Sequence, residues 1–392
     1  MFLRLKEIAM LLPILHLFND GFLAAMPLVL PFATEDFGLS LGLVGLLGSL
    51  LSFSGIVLAL PAGAFSARRG SRGILSGAVL CYGLGFLLLG VAGGVISVLL
   101  AFLLGSVGFG VFHPVAFSAV AKSSESENRG KSMGLFAATG DIGRIAFATA
   151  VTFLIGITSW RTTSLIYGGV ALLLFLVCFL LTPREKREKA VDGKTSRKKL
   201  NLRVLGVRRF ALLNTASLID SFANASLFIF IPFLLAFRGI EDSFIGLFTS
   251  IFFVGNLMGK VIMGWLADTM GKERLFISCE LFIFLSLIAL AFSKSIIAIS
   301  LLAFFLGFST KGTVPITSTL IAESVEGEDY EAAYSINSIS TSVANTVAPL
   351  FFGVLADMLG VQAIFIACGV VALTSTFPVL ALKGAKRASA KG

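Results

Sequence analysis

Long apolar runs, separated by short polar breaks, recur along the whole chain. A helix needs roughly 20 residues to cross the hydrocarbon core of a bilayer. That ruler predicts twelve spans, at 8–33, 41–66, 73–93, 96–121, 133–157, 162–182, 209–237, 244–267, 275–293, 296–322, 332–356 and 361–382. A membrane barrel would show strands of about ten residues with alternating polarity, whereas these runs are longer and apolar throughout, so the pattern predicts an all-α membrane protein. The first run, from Ile8 to Phe32, follows Arg4 and Lys6. It exceeds the apolar core of a signal peptide, about 7–15 residues, and is expected to be a retained span.

Composition supports the pattern. Of 392 residues, 56% are hydrophobic and 14% charged, with 41 Gly and 38 Phe. Soluble domains run near 45–50% apolar and about 25% charged. A soluble enzyme, a disordered chain and a collagen-like protein are excluded, and the glycine count suits close helix packing in lipid. The excess of 31 Lys and Arg over 22 Asp and Glu gives a formal charge of +9. In a membrane chain that excess is read by position, and it carries no nucleic-acid signal. Arg4 and Lys6, Arg68, Arg69 and Arg72, Lys122, Arg129 and Lys131, eleven residues from Arg184 to Arg209, Lys272 and Arg274, and the C-terminal tail all fall on one side. Only Arg161, Arg238 and Lys294 fall in the opposite loops. The positive-inside rule therefore predicts a multi-pass protein of the inner (plasma) membrane with both termini cytoplasmic. The basic stretch 183–208 is a solvated tether able to touch anionic lipid, and it divides the chain into a six-helix bundle at 1–182 and another at 209–392 with a short tail. Cys81, Cys178, Cys279 and Cys368 sit singly inside apolar runs and behave as small hydrophobes, with no disulfide or metal set.

The halves echo each other. Asp20 precedes Pro31 in the first span as Asp220 precedes Pro232 in the seventh. Pro114 ends GSVGFGVFHP in the fourth span as Pro315 ends GFSTKGTVP in the tenth. The loop GAFSARRGSR from Gly63 is matched by GWLADTMGKER from Gly264. Such repetition predicts two pseudo-symmetric six-helix bundles with a site near the bilayer midplane.

On these residues the chain resembles the major facilitator superfamily over essentially its whole length. The superfamily signature G-x-L-A-D-x-x-G-x-x-R is met by Gly264, Leu266, Ala267, Asp268, Gly271 and Arg274, with a weaker copy at Gly63, Arg68, Gly70 and Arg72. HLFNDGFLAAMPLVLP from His16 and GVFHPVAFSAVA from Gly110 resemble the fosmidomycin-resistance branch of drug exporters. The resemblance implies the major facilitator fold, a transporter in place of an enzyme, a monomer, and a cytoplasmic gate at the signature residues. Two departures leave the direction of transport open. Ala67 stands where the first signature loop has Asp, and GDIGRIAFA from Gly140 lacks the Gly-Pro pattern associated with proton-coupled antiporters.

An ionisable side chain at membrane depth costs at least about 2.5–3.5 kcal/mol on insertion scales, so each needs a partner or a task. His16 and Asp20 are four residues apart on one helix face and form a candidate proton site. The alternative is a polar pair that fixes the first and fourth spans, with His113 packed against it. Asp141 and Arg144, three apart, are either an internal ion pair or a site in which the Arg144 fork holds an anionic cargo and Asp141 orients it. Lys311 either contacts the cargo or pairs with Asp220, and Asp220 with Asn224 lines the cavity as a further coupling candidate. Asn19, His113 and Asn224 join the candidate cargo contacts, and Asp141 the candidate proton-coupling groups. Lys260 and Glu280 are expected near cytoplasmic span ends as gate structure, able to snorkel to the interface.

There is no Walker loop, no catalytic set and no histidine–cysteine ligand spacing, so neither a nucleotide nor a metal nor another cofactor is expected. The sequence thus predicts a secondary transporter coupled to protons, exporting a small organic anion or amphiphilic drug. Proton symport for metabolite uptake, and a non-transporting sensor of the same fold, are the alternatives.

Overall fold

The computed structural model describes residues 2–124, 129–181, 202–326 and 329–389, without the side chains of 2–10, 67, 69, 129–131, 181, 202, 268 and 383–389. Most of the basic tether, and the side chain of Asp268, lie outside the described residues. The described chain is helical, with no strand.

The helices are α1 (Phe2–Leu28), α2 (Leu30–Phe37), α3 (Leu41–Arg69), α4 (Arg72–Gly90), α5 (Val95–Ser123), α6 (Arg129–Ile157), α7 (Trp160–Leu181), α8 (Arg208–Asn224), α9 (Leu227–Phe237), α10 (Asp242–Met270), α11 (Lys272–Phe292), α12 (Ile296–Ala322), α13 (Tyr330–Leu359), α14 (Val361–Thr374) and α15 (Thr376–Ser389). Twelve stretches among them are long and apolar enough to cross a membrane, and their ends fall within a few residues of the predicted spans. The first span runs on past Ala33 through Glu35 and Asp36, and stops where Gly38 takes a φ of +63°, a conformation glycine adopts without strain.

Three spans are each two helices in series. Pro31 has no N–H for the carbonyl of Pro27, and Pro378 none for that of Thr374. The chain breaks accordingly at Val29 and at Ser375, while the seventh span breaks at Ala225 and Ser226, ahead of Pro232.

The chain divides into two compact units. One holds the described residues of Met1–Gly193 with Leu235–Ser250, the other those of Lys194–Leu234 with Ile251–Gly392. In the first, α1 packs on α6 and α5, α3 on α5, and α4 on α7. In the second, α8 packs on α13 and α14, and α11 on α12 and α14. There the remainder of α10 meets α12, with Gly255 and Gly259 against the carbonyls of Phe304 and Phe308. The first, fifth, second, fourth, third and sixth spans of one half are thus paired as their counterparts are in the other.

Aromatic packing fills the first unit, where Phe22 contacts Tyr82, Phe86, Phe147 and Tyr167. Phe210, Phe276, Ile316 and Leu320 belong to the buried core of the second.

Candidate functional site

In the first unit, α6 approaches α1 on glycine. A Cβ on Gly143 would strike the backbone carbonyl of Leu17, and one on Gly140 would lie 2.6 Å from His16 Cε1 and 2.7 Å from Asp20 Oδ2. Small residues at a contact let two membrane helices approach closely. The approach carries the polar groups of α6 onto those of α1.

Asp20, 1% exposed, is the centre of the result. Its Oδ2 accepts from Arg144 Nη2 at 2.6 Å, and its Oδ1 accepts from Asn19 Nδ2 at 3.0 Å and lies 3.1 Å from His113 Nε2. Arg144 also reaches Asp141 Oδ1 through Nη1 at 3.4 Å. One guanidinium is therefore shared by two carboxylates, which leaves the three groups with a net negative charge. The Arg144 side chain retains 25% of its surface and His113 22%, whereas Asp20 beneath them is sealed.

His16 is fixed from α6. Its Nδ1 lies 2.6 Å from the carbonyl oxygen of Phe136, and its ring stacks on the Phe136 ring at a centroid distance of 4.0 Å. A carbonyl only accepts, so Nδ1 carries the hydrogen. Nε2 then faces Asp20 Oδ2 at 3.4 Å, buried and without a hydrogen-bond partner. A lone pair opposite a carboxylate oxygen is repulsive; a proton between them turns the contact attractive.

The donor atoms of His16, Asp20 and His113 all lie within 4.8 Å of one another, as the alternative of a His16–Asp20 pair with His113 packed against it had them. Three donors are the minimum of a zinc-type site. Arg144 Nη2 already lies 2.6 Å from Asp20 Oδ2, so a divalent ion on that oxygen would sit beside a guanidinium.

The second unit holds a separate polar group. Asp220 on α8 accepts from Asn224 Nδ2 at 2.5 Å and from Thr313 Oγ1 at 3.2 Å, and Lys311 on α12 acts on it electrostatically. Lys311 itself is exposed. Glu280, expected at the cytoplasmic interface, is instead fully buried, with Asp220 and Ser375 as neighbours. The physical reason is packing: Glu280, eight residues and about 12 Å into α11 from Lys272, lies on the side of the helix that its neighbours α12 and α14 cover. Snorkelling from there would have to cross the packed side of the helix.

The signature residues occupy helix ends. Gly70 caps α3 with a φ of +86°, and Gly271 links α10 to α11 with a φ of +84°. Arg68 is exposed, Gly63 has open space around it, and Arg72 lies over the Phe179 ring at 4.8 Å. Gly264 is 3.8 Å from Pro315 Cβ when given a Cβ, Lys260 is half-buried and Arg274 exposed. Beside them is a network the sequence reading missed. Lys272 Nζ lies 2.9 Å from Glu323 Oε1, and Arg209 lies 3.7 Å from Glu273 and 3.8 Å from Glu323. Glu273 and Glu323 sit at separate helix ends, and no spacing in the sequence joins them.

Known proteins place this arrangement. A sequence model of the Major Facilitator Superfamily matches residues 12–241 and 213–391. The probable sulfoacetate transporter SauU of Cupriavidus necator is 24% identical, over 84% of this chain and 82% of its own. The multidrug resistance protein MdtG of Escherichia coli K12 is 25% identical, over 90% of each chain. Among solved structures, a bacterial homolog of the human lysosomal transporter Spinster, inward-facing and unoccupied, has a TM-score of 0.80 at 16% identity, covering 96% of this chain and 97% of its own. The nucleoside transporter NupG has a TM-score of 0.81 at 12% identity, covering 95% and 99%. With twelve spans and a family match from end to end, this chain is a multi-pass membrane transporter of small molecules, and it belongs to the Major Facilitator Superfamily.

Proposed function

We propose that the protein is a proton-coupled transporter of a small organic anion, with Asp20 as the proton carrier and Arg144 as the anion-binding group. The observation that carries this reading is the sharing of Arg144 between Asp20 and Asp141. While Asp20 is ionised, the guanidinium is occupied. A proton on Asp20, delivered beside His16 and His113, dissolves the stronger of the two pairs and frees the planar fork for a carboxylate, sulfonate or phosphonate. Asn19 and His113, both against Asp20, flank the same position. Proton and anion then favour each other's binding, which is the thermodynamic condition for moving together. The reading therefore inclines to uptake by symport, where the sequence resemblance inclined to export. That SauU is named a sulfoacetate transporter agrees with an anionic cargo.

Export of an amphiphilic drug in exchange for protons is the second reading, supported by the relatives named multidrug resistance proteins. It requires cargo and proton to compete, as a cationic amphiphile displacing Arg144 from Asp20 would do. In either case the site belongs in the inner membrane with both chain termini cytoplasmic, by the distribution of basic residues.

The test is proton movement in proteoliposomes carrying a pH dye, with wild type and Asp20→Asn. Protons entering with sulfonates or carboxylates, and silence in the variant, support symport. Protons moving against a cationic amphiphile support exchange. Cargo flux without any proton signal in wild type overturns the coupling.

A further inference from the structure

Among the described residues no cation pairs with Glu280; its neighbours are the Asp220 carboxyl and the Ser375 hydroxyl. Its residue is 0% exposed, and both carboxyl oxygens are buried without a hydrogen bond among the described residues. The donors around it are spent elsewhere. Ser375 donates its only hydroxyl hydrogen to the carbonyl of Ala372 at 2.7 Å. Thr313 divides its hydrogen between Asp220 Oδ2 at 3.2 Å and the Thr310 carbonyl at 3.0 Å, and Asn224 Nδ2 serves Asp220 Oδ1 at 2.5 Å. Lys311 acts on Asp220. Of the other elements packed against α11, α14 carries no charged residue and only the Cys368 thiol, while the basic residues of α15 begin at Lys383, eight positions beyond Ser375. Beside Glu280 on its own helix stands the buried thiol of Cys279.

Of the two neighbouring buried carboxyls, Asp220 thus holds the amide donor, the threonine hydroxyl and the lysine charge, while Glu280 has beside it only a serine whose hydrogen is directed to a carbonyl. An anion at Glu280 would have no compensation, whereas a neutral acid there needs only an acceptor for its own hydrogen. Ser375 Oγ, whose lone pairs remain available, and the Asp220 carboxylate are both such acceptors.

We propose that Glu280 is a proton-binding site of the second unit, held as a neutral carboxylic acid and sharing its proton with ionised Asp220. It is distinct from Asp20 and stands whether or not Asp20 carries the coupling proton. It also gives Glu280 a task other than the gate structure suggested by its place in the sequence.

The experiment uses the full chain in lipid nanodiscs at neutral pH. Dicyclohexylcarbodiimide, an apolar reagent for protonated carboxyls, is added and its adducts are mapped by mass spectrometry; infrared spectroscopy follows the protonated-carboxyl C=O band. The expected results are an adduct on Glu280 in wild type, loss of one carboxylic-acid band in Glu280→Gln, and a shifted band that persists in Asp220→Asn. A wild-type protein unlabelled at Glu280, or a monodisperse Glu280→Gln with the full band amplitude, overturns the proposal. An unshifted band in Asp220→Asn overturns the sharing. The labelling needs no variant and so decides the matter if Glu280→Gln fails to fold.

Discussion

Arg144 Nη2 lies 2.6 Å from Asp20 Oδ2, although the two residues are 124 positions apart and on different helices. Neither residue's sequence neighbourhood announces this pair. Asp141, three residues before Arg144, looked like its natural partner, yet it sits at 3.4 Å while the distant carboxylate takes the shorter bond.

Substitution of Arg144 should therefore separate charge from geometry. Arg144→Lys keeps a cation but loses the planar fork that spans two carboxylates, and anion affinity should fall by about tenfold, or ~1.4 kcal/mol. Arg144→Ala should abolish saturable binding and leave Asp20 buried without its cation. Isothermal titration of the purified protein with sulfonates and carboxylates reads both. Unchanged affinity in Arg144→Ala would remove Arg144 from the anion site.

Gly140→Ala is expected to disable transport without touching a charged group. The new methyl would sit 2.6–2.8 Å from His16 and Asp20, forcing α6 away from α1 or the imidazole off Phe136. Overpacking of this kind costs about 1–3 kcal/mol. Gly134→Ala on the same helix meets nothing within 4 Å and serves as the control. Thermal unfolding and flux should fall for the first variant and hold for the second.

In the second unit, Gly259→Ala should destabilise more than Gly264→Ala, although Gly264 is the signature residue. A Cβ at Gly259 collides with the carbonyl of Phe308, whereas at Gly264 the nearest atom is Pro315 Cβ at 3.8 Å, an ordinary contact. Equal melting temperatures for the two variants would contradict the α10–α12 packing.

Glu323→Gln removes the acid that Lys272 and Arg209 share. Glu323 is 44% exposed at its side chain, so the loss in stability should stay below about 1 kcal/mol and shrink further in high salt. Chemical denaturation at low and high ionic strength measures it.

The twelve spans were legible because the bilayer imposes a single length and an almost uniform apolar composition, and neither depends on what packs where. The polar site was legible only in its parts. His16, Asp20, Asp141 and Arg144 were each conspicuous as ionisable groups at membrane depth, and the i,i+4 spacing joined the first two correctly. What joined α1 to α6 was the pair Gly140 and Gly143, which among 41 glycines carried no special mark. Glu280 shows the converse limit. Its distance from the charged end of α11 suggested a path to the interface, but burial is set by the neighbouring helices, and no position along one helix states which side they cover.

The carbonyl of Phe136 has a consequence of another kind. It takes the Thr139 hydroxyl at 2.7 Å as well as His16 Nδ1 at 2.6 Å, so two side-chain hydrogens converge on one oxygen of α6. The imidazole of α1 is thereby keyed to a single rung of the neighbouring helix. A slide of α6 by even one residue would withdraw that rung and let the ring turn, changing which nitrogen confronts Asp20. Helix position and proton address are in this way written on the same histidine, so a mechanical displacement of one helix is also a chemical instruction to the other.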